Sequence, residues 1–350
     1  MINEVVLDWF CLINSKGVGP KTFWAVMRSY KTAKESLKHI SDPFPKDKAR
    51  KILKSLNCDV ILASEPIFPR LLRRSSSCPP MLFCQGDKTI LAKRKIAIIG
   101  ARNASISGKS IAKNLAYNLS NDFAIVSGLA RGIDTAAHQG SIENTQTKST
   151  ITVLPFGFEN IYPQENVQLY KKIAKDGLVI SETQHRNLNE QGAFYARNRI
   201  ITLLSEAVVV IEAASKSGTM ATAKMALDLG CEVLVIPGSP LDPRYYGSNF
   251  LIKNGAMLVQ NHFDVLEAIG YQTEHNQISE TQVSSQVEPT GNHNKSEEIL
   301  SMLSETPISL DTLALNANIR MNELLCLISE LEISGKVIKH STNEVTIFRG

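Results

Sequence analysis

Lys95-Ile96-Ala97-Ile98-Ile99-Gly100-Ala101-Arg102-Asn103 is a β-branched run that stops on a glycine, and the amphipathic stretch 106–119 comes after it. The same unit recurs down the chain. Further apolar runs lie at 123–126, 150–154, 178–180, 207–211 and 232–236, with amphipathic stretches at 135–142, 167–175, 194–204 and 219–229 between them. Strands that alternate with helices predict right-handed crossovers and a parallel sheet covered on both faces. The runs are continuous rather than alternating, as strands buried on both sides should be. The expected fold class is therefore α/β, an extended Rossmann-like doubly wound parallel sheet.

In such a sheet, ligands bind beyond the carboxyl ends of the strands. The residues just past each run are therefore informative: Gly100-Ala101-Arg102-Asn103, then Ser127-Gly128-Leu129-Ala130-Arg131-Gly132-Ile133-Asp134, then Gly157 to Tyr162-Pro163, Ser181-Glu182, Lys216-Ser217-Gly218-Thr219 and Pro237-Gly238. Glycines permit sharp turns and close approach, hydroxyls and helix N-termini favour anions, and arginines add planar charged forks. Together they predict an anion pocket on one sheet edge. Arg197 and Arg199, two apart on a helix, cannot share a face, so one is expected in a structural ion pair. Asp134 reads most simply as a helix N-cap and His138 as a packed histidine. Ser127 and Ser217 are not in G-x-S-x-G, and neither G-x-G-x-x-G nor G-x-x-x-x-G-K-[ST] occurs. Nucleophile-elbow, dinucleotide and P-loop chemistry lose their fingerprints.

Outward from the sheet, the expected domains are a helical segment (1–62), the Rossmann-like domain (63–271), a polar linker (272–296) and a final unit (297–350). Gly17-Val18-Gly19 between two short helices fits either a helix-hairpin-helix, whose glycines admit a DNA phosphate, or a plain turn. Three helices and a hairpin around Thr342-Asn343 predict a C-terminal winged helix. The chain has 350 residues and a net charge of +4. Residues 45–113 carry 15 basic and 4 acidic groups, whereas residues 273–350 carry 5 and 11. The first block suits a polyanion or is a solvated face with acidic partners elsewhere. The six cysteines form no C-x-x-C pair, which argues against metal ribbons and disulfide frameworks and for a reducing cytoplasm. No apolar run approaches the ~20 residues of a membrane span, and Met1-Ile2-Asn3-Glu4 has no basic leader signature.

The ordered series is specific. Gly100-Ala101-Arg102, Ser127-Gly128-Leu129-Ala130-x-Gly132-Ile133-Asp134-x-Ala136-Ala137-His138 and Tyr162-Pro163-x-x-Asn166 resemble the DprA/Smf family. Ser181-Glu182, Arg197-Asn198-Arg199, Ser217-Gly218-Thr219, Pro237-Gly238 and Gly247-Ser248-Asn249 continue the resemblance over roughly 66–260. It implies a non-catalytic protein without cofactor or metal that binds single-stranded DNA and dimerises through its Rossmann-like domain. It further implies loading of the RecA recombinase onto incoming strands, including strands covered by single-strand-binding protein, during natural transformation. Carried over by motif, Arg102, Ser127, Gly128, Arg131, Gly132, Ser217 and Gly218 line the DNA groove. Arg197, Arg199 and Lys216 join them, and Arg73, Arg74 and Lys109 are expected as accessory basic contacts. Ala101 stands where the family most often has serine, and Arg131 stands at a variable position. Phe156, Phe158 and Tyr162 are the stacking candidates, with at least two of them expected in the core.

Two other readings use the same residues. The fold also resembles the lysine-decarboxylase-like family, which includes phosphoribohydrolases with P-G-G-x-G-T-x-x-E. Here Lys216-Ser217-Gly218-Thr219-Met220-Ala221-Thr222-Ala223 lacks the glutamate. The other is a DNA-repair interaction scaffold in which the acidic C-terminal unit matters most.

Overall fold

The computed structural model describes residues 3–159, 161–184, 192–271, 299–304, 307–317, 319, 321–340 and 344–347. The expected linker at 272–296 and the turn at Thr342-Asn343 lie outside these residues. The described chain divides into two compact units, residues 1–272 and 273–350.

The larger unit is built on nine strands: β1 (Asp59–Leu62), β2 (Met81–Gly86), β3 (Lys95–Gly100), β4 (Ala124–Ser127), β5 (Thr150–Leu154), β6 (Leu178–Ser181), β7 (Ala207–Ile211), β8 (Glu232–Val235) and β9 (Met257–Leu258). Their order is β1-β2-β6-β5-β4-β3-β7-β8-β9. From β6 to β9 every pairing is parallel, while β1 and β2 are antiparallel additions at one edge. Six strands fall within a residue or two of the apolar runs. β1, β2 and β9 lie outside those runs. β1 and β9 are short edge strands, where periodicity is weakest as a guide, and β2 is the antiparallel strand that joins β1 to β6.

Alternate residues of the central strands feed two cores. Ala97, Ile99, Val126, Val208 and Val210 face Ile200, Ile201 and Leu204 of α9 (Ala193–Leu204) and Ala223 and Ala226 of α10 (Gly218–Asp228). Ile96, Ile98, Ile125, Val209 and Ile211 face α6 (Ile106–Leu119) and α7 (Ile133–Glu143). A two-residue period between two covered faces explains why these runs are apolar throughout.

The N-terminal helices α1 (Glu4–Asn14), α2 (Pro20–Tyr30), α3 (Ala33–Leu37) and α4 (Lys46–Ser55) are not a detached module. Leu7, Phe10, Leu12 and Phe23 share one core cluster with Met81, Leu82 and Phe83 of β2. Phe10 stands edge-on to Phe83, with centroids 6.3 Å apart. The helical segment also ends earlier than 62, because Asp59–Leu62 pairs with β2.

The smaller unit contains helical residues 299–302, β10 (Ile308–Ser309), α13 (Leu310–Asn316), α14 (Met321–Ile333), β11 (Val337–Lys339) and β12 (Glu344–Ile347). Its three strands run in the order β10-β12-β11, with Ile299, Leu313, Leu324, Leu327 and Val345 in one core. This is the arrangement of a winged helix. Among the described residues no helix is long and apolar enough to cross a membrane.

Candidate nucleic-acid interface

Strand order reverses at β3: β4 lies on one side of it and β7 on the other. Loops leaving β3 and β7 therefore part, and a crevice opens beyond their carboxyl ends. Two adjoining cavities of about 610 and 280 Å³ occupy it, sharing walls of Arg102, Asn103, Ala130, Phe194 and Arg197. Tyr195, Ser217, Gly218 and Arg244 extend the larger cavity; Gly128, Arg131 and Tyr162 extend the smaller.

Backbone contact shapes the floor. A Cβ on Gly100 would collide with the Ile211 carbonyl, and one on Gly132 with the Ala101 carbonyl. Gly132 also has φ +78, which only glycine adopts without strain. The Ile133 amide then reaches the Ala101 carbonyl at 3.2 Å, locking the loop after β3 to the loop after β4.

Arg102 is exposed, and its guanidinium lies over the Phe194 ring at 5.4 Å from the centroid. Phe194 is in turn edge-on to Phe156 at 5.4 Å and to Tyr162 at 5.9 Å. Tyr195 is 61% exposed and Tyr162 44%. Phe156 is buried and Phe158 half-buried, so two of the three stacking candidates are core and Tyr162 alone remains at the surface. In the sequence Phe194 and Tyr195 read only as part of a helical stretch; Gly192, in a left-handed turn, starts that helix and aims its first turn into the crevice.

Ser217 caps α10, accepting from the Met220 amide at 3.2 Å. Thr219 ties the same turn to β3 by donating to the Gly100 carbonyl at 2.9 Å. Beside Gly218 there is open space. The N-terminus of α6 differs. The buried Glu212 carboxylate accepts from the Ser105 amide at 2.9 Å, from the Ser105 hydroxyl and from the Tyr245 hydroxyl at 3.0 Å. This fills from within a site that is otherwise favourable to anions.

Several expected contacts lie elsewhere. Ser127 is fully buried and donates to the Ile98 carbonyl at 2.7 Å, so its hydroxyl belongs to the sheet rather than to the groove. Arg197 is 6% exposed. It donates to the Gly128 carbonyl, to the Val153 carbonyl at 2.6 Å and to Asn198 Oδ1 at 3.0 Å. Burial pulls it down to about 10, against the opposing pull of Asp134. It is the charged wall behind the crevice, holding β4 and β5 together. Arg199 faces away and pairs with Glu182 at 2.5 Å. Asp134 is not the N-cap of α7, a position held by Gly132. Its carboxylate accepts from the Gly128 and Ala130 amides at 3.1 and 3.2 Å, and burial holds its pKa above the ordinary carboxylate value. His138 is fully buried, with Nδ1 2.8 Å from the Thr150 hydroxyl, and burial pushes it down to about 3.

Arg131 is exposed at the rim in an open ion pair with Glu165, a contact worth little in water. Lys216 and Lys109 are exposed on the loop before α10 and the first turn of α6. Arg73 and Arg74 line a separate cavity beside the N-terminal helices and do not extend the crevice. The basic block of 45–113 is thus dispersed. Arg94 pairs with Glu206, Lys46 with Asp8, Arg50 with Glu4 and Lys88 with Asp59. Lys95 is buried, donates to the Leu91 and Lys93 carbonyls, and is pulled down to about 8 by burial.

A crevice at the switch point of an open parallel sheet, edged by an exposed arginine over an aromatic ring and by an uncluttered helix start, defines the class: a Rossmann-like protein with a candidate anion site. The profile described as DNA recombination-mediator protein A matches residues 59–270, and that of the DprA-like N-terminal HHH domain matches residues 3–52. The chain belongs to this family, DprA/Smf. It is 39% identical to the DNA processing protein DprA of Bacillus subtilis over 213 residues, 60% of this chain and 71% of that one. It is also 39% identical to DprA of Streptococcus pneumoniae over 199 residues, 57% and 70% of the two chains. The X-ray structure of the S. pneumoniae protein is similar with TM-score 0.66 and 28% identity, over 78% of this chain and 99% of that one. A Helicobacter pylori DprA structure, described for its single-stranded DNA binding mode, is similar with TM-score 0.56 and 29% identity, over 62% and 99%.

Proposed function

We propose that this recombination-mediator protein binds single-stranded DNA in the crevice beyond β3, β4 and β7, without catalysis, and delivers it to the RecA recombinase. The observation that carries this reading is Arg102, an exposed guanidinium over an aromatic ring, facing the open backbone at Gly218 across a cavity of about 610 Å³. The cation meets a phosphate, and the rings of Tyr195 and Tyr162 offer faces to bases without reading them. Arg131, Gly128, Gly132, Lys216, Ser217 and Lys109 serve the same strand from the rim and the loops. Hydrolysis of a nucleotide has little support: the carboxylate in the crevice wall, Asp134, is already occupied by two amides.

The reading extends to protection of incoming strands, displacement of single-strand-binding protein and a cytoplasmic place of action in natural transformation. The six free thiols fit a reducing compartment. A homodimer through the Rossmann-like domain is supported by its unpaired edge. Met257 and Leu258 of β9 are 53% and 45% exposed, and Phe250 and Phe263 nearby are 57% and 60% exposed.

Fluorescence anisotropy of labelled single-stranded and duplex oligonucleotides across a salt series tests the central claim. Single strands should bind preferentially, with log affinity falling by about 0.7 per phosphate contact per decade of salt. Arg102→Ala should weaken binding about tenfold or more. No single-strand binding at low salt would overturn the reading. Recombinase loading is then assayed as faster RecA filament growth on strands precoated with single-strand-binding protein.

A further inference from the structure

A second cavity, of about 700 Å³, lies where the N-terminal helices meet the segment after β1. Its apolar wall is Trp9, Trp24 and Met27. The Trp24 indole donates to the Cys78 carbonyl at 2.8 Å and stands edge-on to Trp9, with centroids 5.8 Å apart. Its rim is Arg28, Lys31, Arg73 and Arg74, all exposed. Among the described residues no Asp or Glu lines this cavity, and none of the four cations has an ion-pair partner.

Unpaired cations are common among the described residues, Lys51, Lys54 and Arg70 among them, but these four share one cavity. Lys46, Arg50, Lys88 and Arg94 instead each have a carboxylate within 3.0 Å. Arg28 closes the last turn of α2, Lys31 caps it, and Arg73 and Arg74 end α5 (Arg70–Arg73). Two helix C-termini supply roughly one negative charge between them. Most of four positive charges is left uncompensated.

We infer that this cavity is a second subsite for single-stranded nucleic acid, taking the phosphates on Arg28, Lys31 and Arg74, with Arg73 bracing the rim, and a base against Trp24. The inference rests on the single-strand reading of the crevice and lengthens its track. α9 joins the two places. Its first turn, Phe194 and Tyr195, lines the crevice. The same helix packs on α5, and Arg199, one turn on from Tyr195, lies near Cys78, as Arg73 does. A strand leaving the crevice past the exposed Tyr195 is led along this helix to the rim. Charge favours a polyanion here, and the helix α9 shared with the crevice favours a strand over an acidic peptide.

Trp9 and Trp24 are the two tryptophans of the chain, so intrinsic emission reports this cavity directly. The full chain is titrated with oligothymidylates of about 6 and about 30 nucleotides, near the lower end of and well above the roughly 4–16 nucleotides that one OB fold covers. The long strand should shift or quench tryptophan emission and the short strand should not. Arg28→Glu/Arg74→Glu should weaken the long strand about tenfold and lower its salt slope by about 1.4, the value for two phosphates. The short strand should be unaffected. Lys31→Glu is a milder second variant, and Arg73 is left alone because it braces the Glu65 and Phe68 carbonyls. Unchanged long-strand affinity and unmoved emission, with Arg102→Ala still weakening the short strand, would overturn the second subsite and leave the crevice standing. Failure of both strands to bind wild type overturns both. Emission moved by an acidic aromatic peptide and not by the strand overturns the subsite alone.

Discussion

The two ends of β3 carry positive charge in different ways. At the amino end, Arg94 is clamped on Glu206 and lies over Phe123 and Tyr271, and Lys95 is buried with its amine on two carbonyls. At the carboxyl end, about 16 Å away along the strand, Arg102 faces water and an aromatic ring. The amino-end charges are spent on holding the sheet, and the carboxyl-end charge is available to a ligand. α9 repeats the contrast across its width, with Arg197 buried as a brace and Arg199 neutralised by Glu182. A cation in a sequence is therefore not yet a cation in a groove; its partners decide that.

The contrast is broken most severely at Arg197. Arg197→Ala strands the Gly128 and Val153 carbonyls and removes the cation near Asp134, which should cost about 3–5 kcal/mol. Urea denaturation measures it, and a loss below about 1 kcal/mol would show that Arg197 is no brace. A pair of glycines sharpens the distinction next. Gly132→Ala meets the Ala101 carbonyl from a positive φ and should lose roughly 2–4 kcal/mol. Gly218→Ala meets open space, should stay within about 0.5 kcal/mol of wild type, and should still weaken strand binding severalfold by holding a phosphate off the helix start. Equal stability losses in the two variants would contradict this division.

Acid separates the buried scaffold from the open site. His138 stays neutral in the fold down to about pH 3, while in the unfolded chain it protonates near pH 6.5. Between those values the unfolded state holds the extra proton. This contribution is therefore complete above about pH 6.5 and falls as pH drops, by about 1.4 kcal/mol per unit. Denaturation midpoints at about pH 7 and about pH 5 should differ more in wild type than in His138→Gln. Matching differences would remove His138 from the account. The smallest effect is expected at Arg94→Ala: about 1 kcal/mol of stability from the lost pair and ring contacts, with single-strand affinity unchanged in the same anisotropy assay that reads Arg102→Ala.

Much of this was legible in the residues. The apolar runs from Lys95 to Ile236 specified a parallel sheet because a strand buried on both faces has no polar alternation to hide. The glycines and arginines after those runs marked the candidate binding edge, since loops at strand ends must turn sharply. β1 and β2 were not legible: β1 pairs antiparallel with β2, about 20 residues on in sequence, and β2 with β6, about 95 residues on. Nor was the sharing of one core between the N-terminal helices and β2, which makes a segment that reads as separate part of the larger unit.

By itself, then, the sequence determined the alternation of strands and helices from Lys95 to Ile236, the sheet edge that carries the candidate site and the acidic character of the C-terminal unit. These come from local periodicity and from charge counted along the chain. Only the tertiary structure decided that Ser127 is internal, that Glu212 closes the start of α6, that Phe194 lies beneath Arg102 and that Arg197 braces rather than binds. Each of those outcomes depends on the approach of groups from distant parts of the chain. Burial and pairing, which set whether a charge is free to act, are properties of that approach and not of the residue alone.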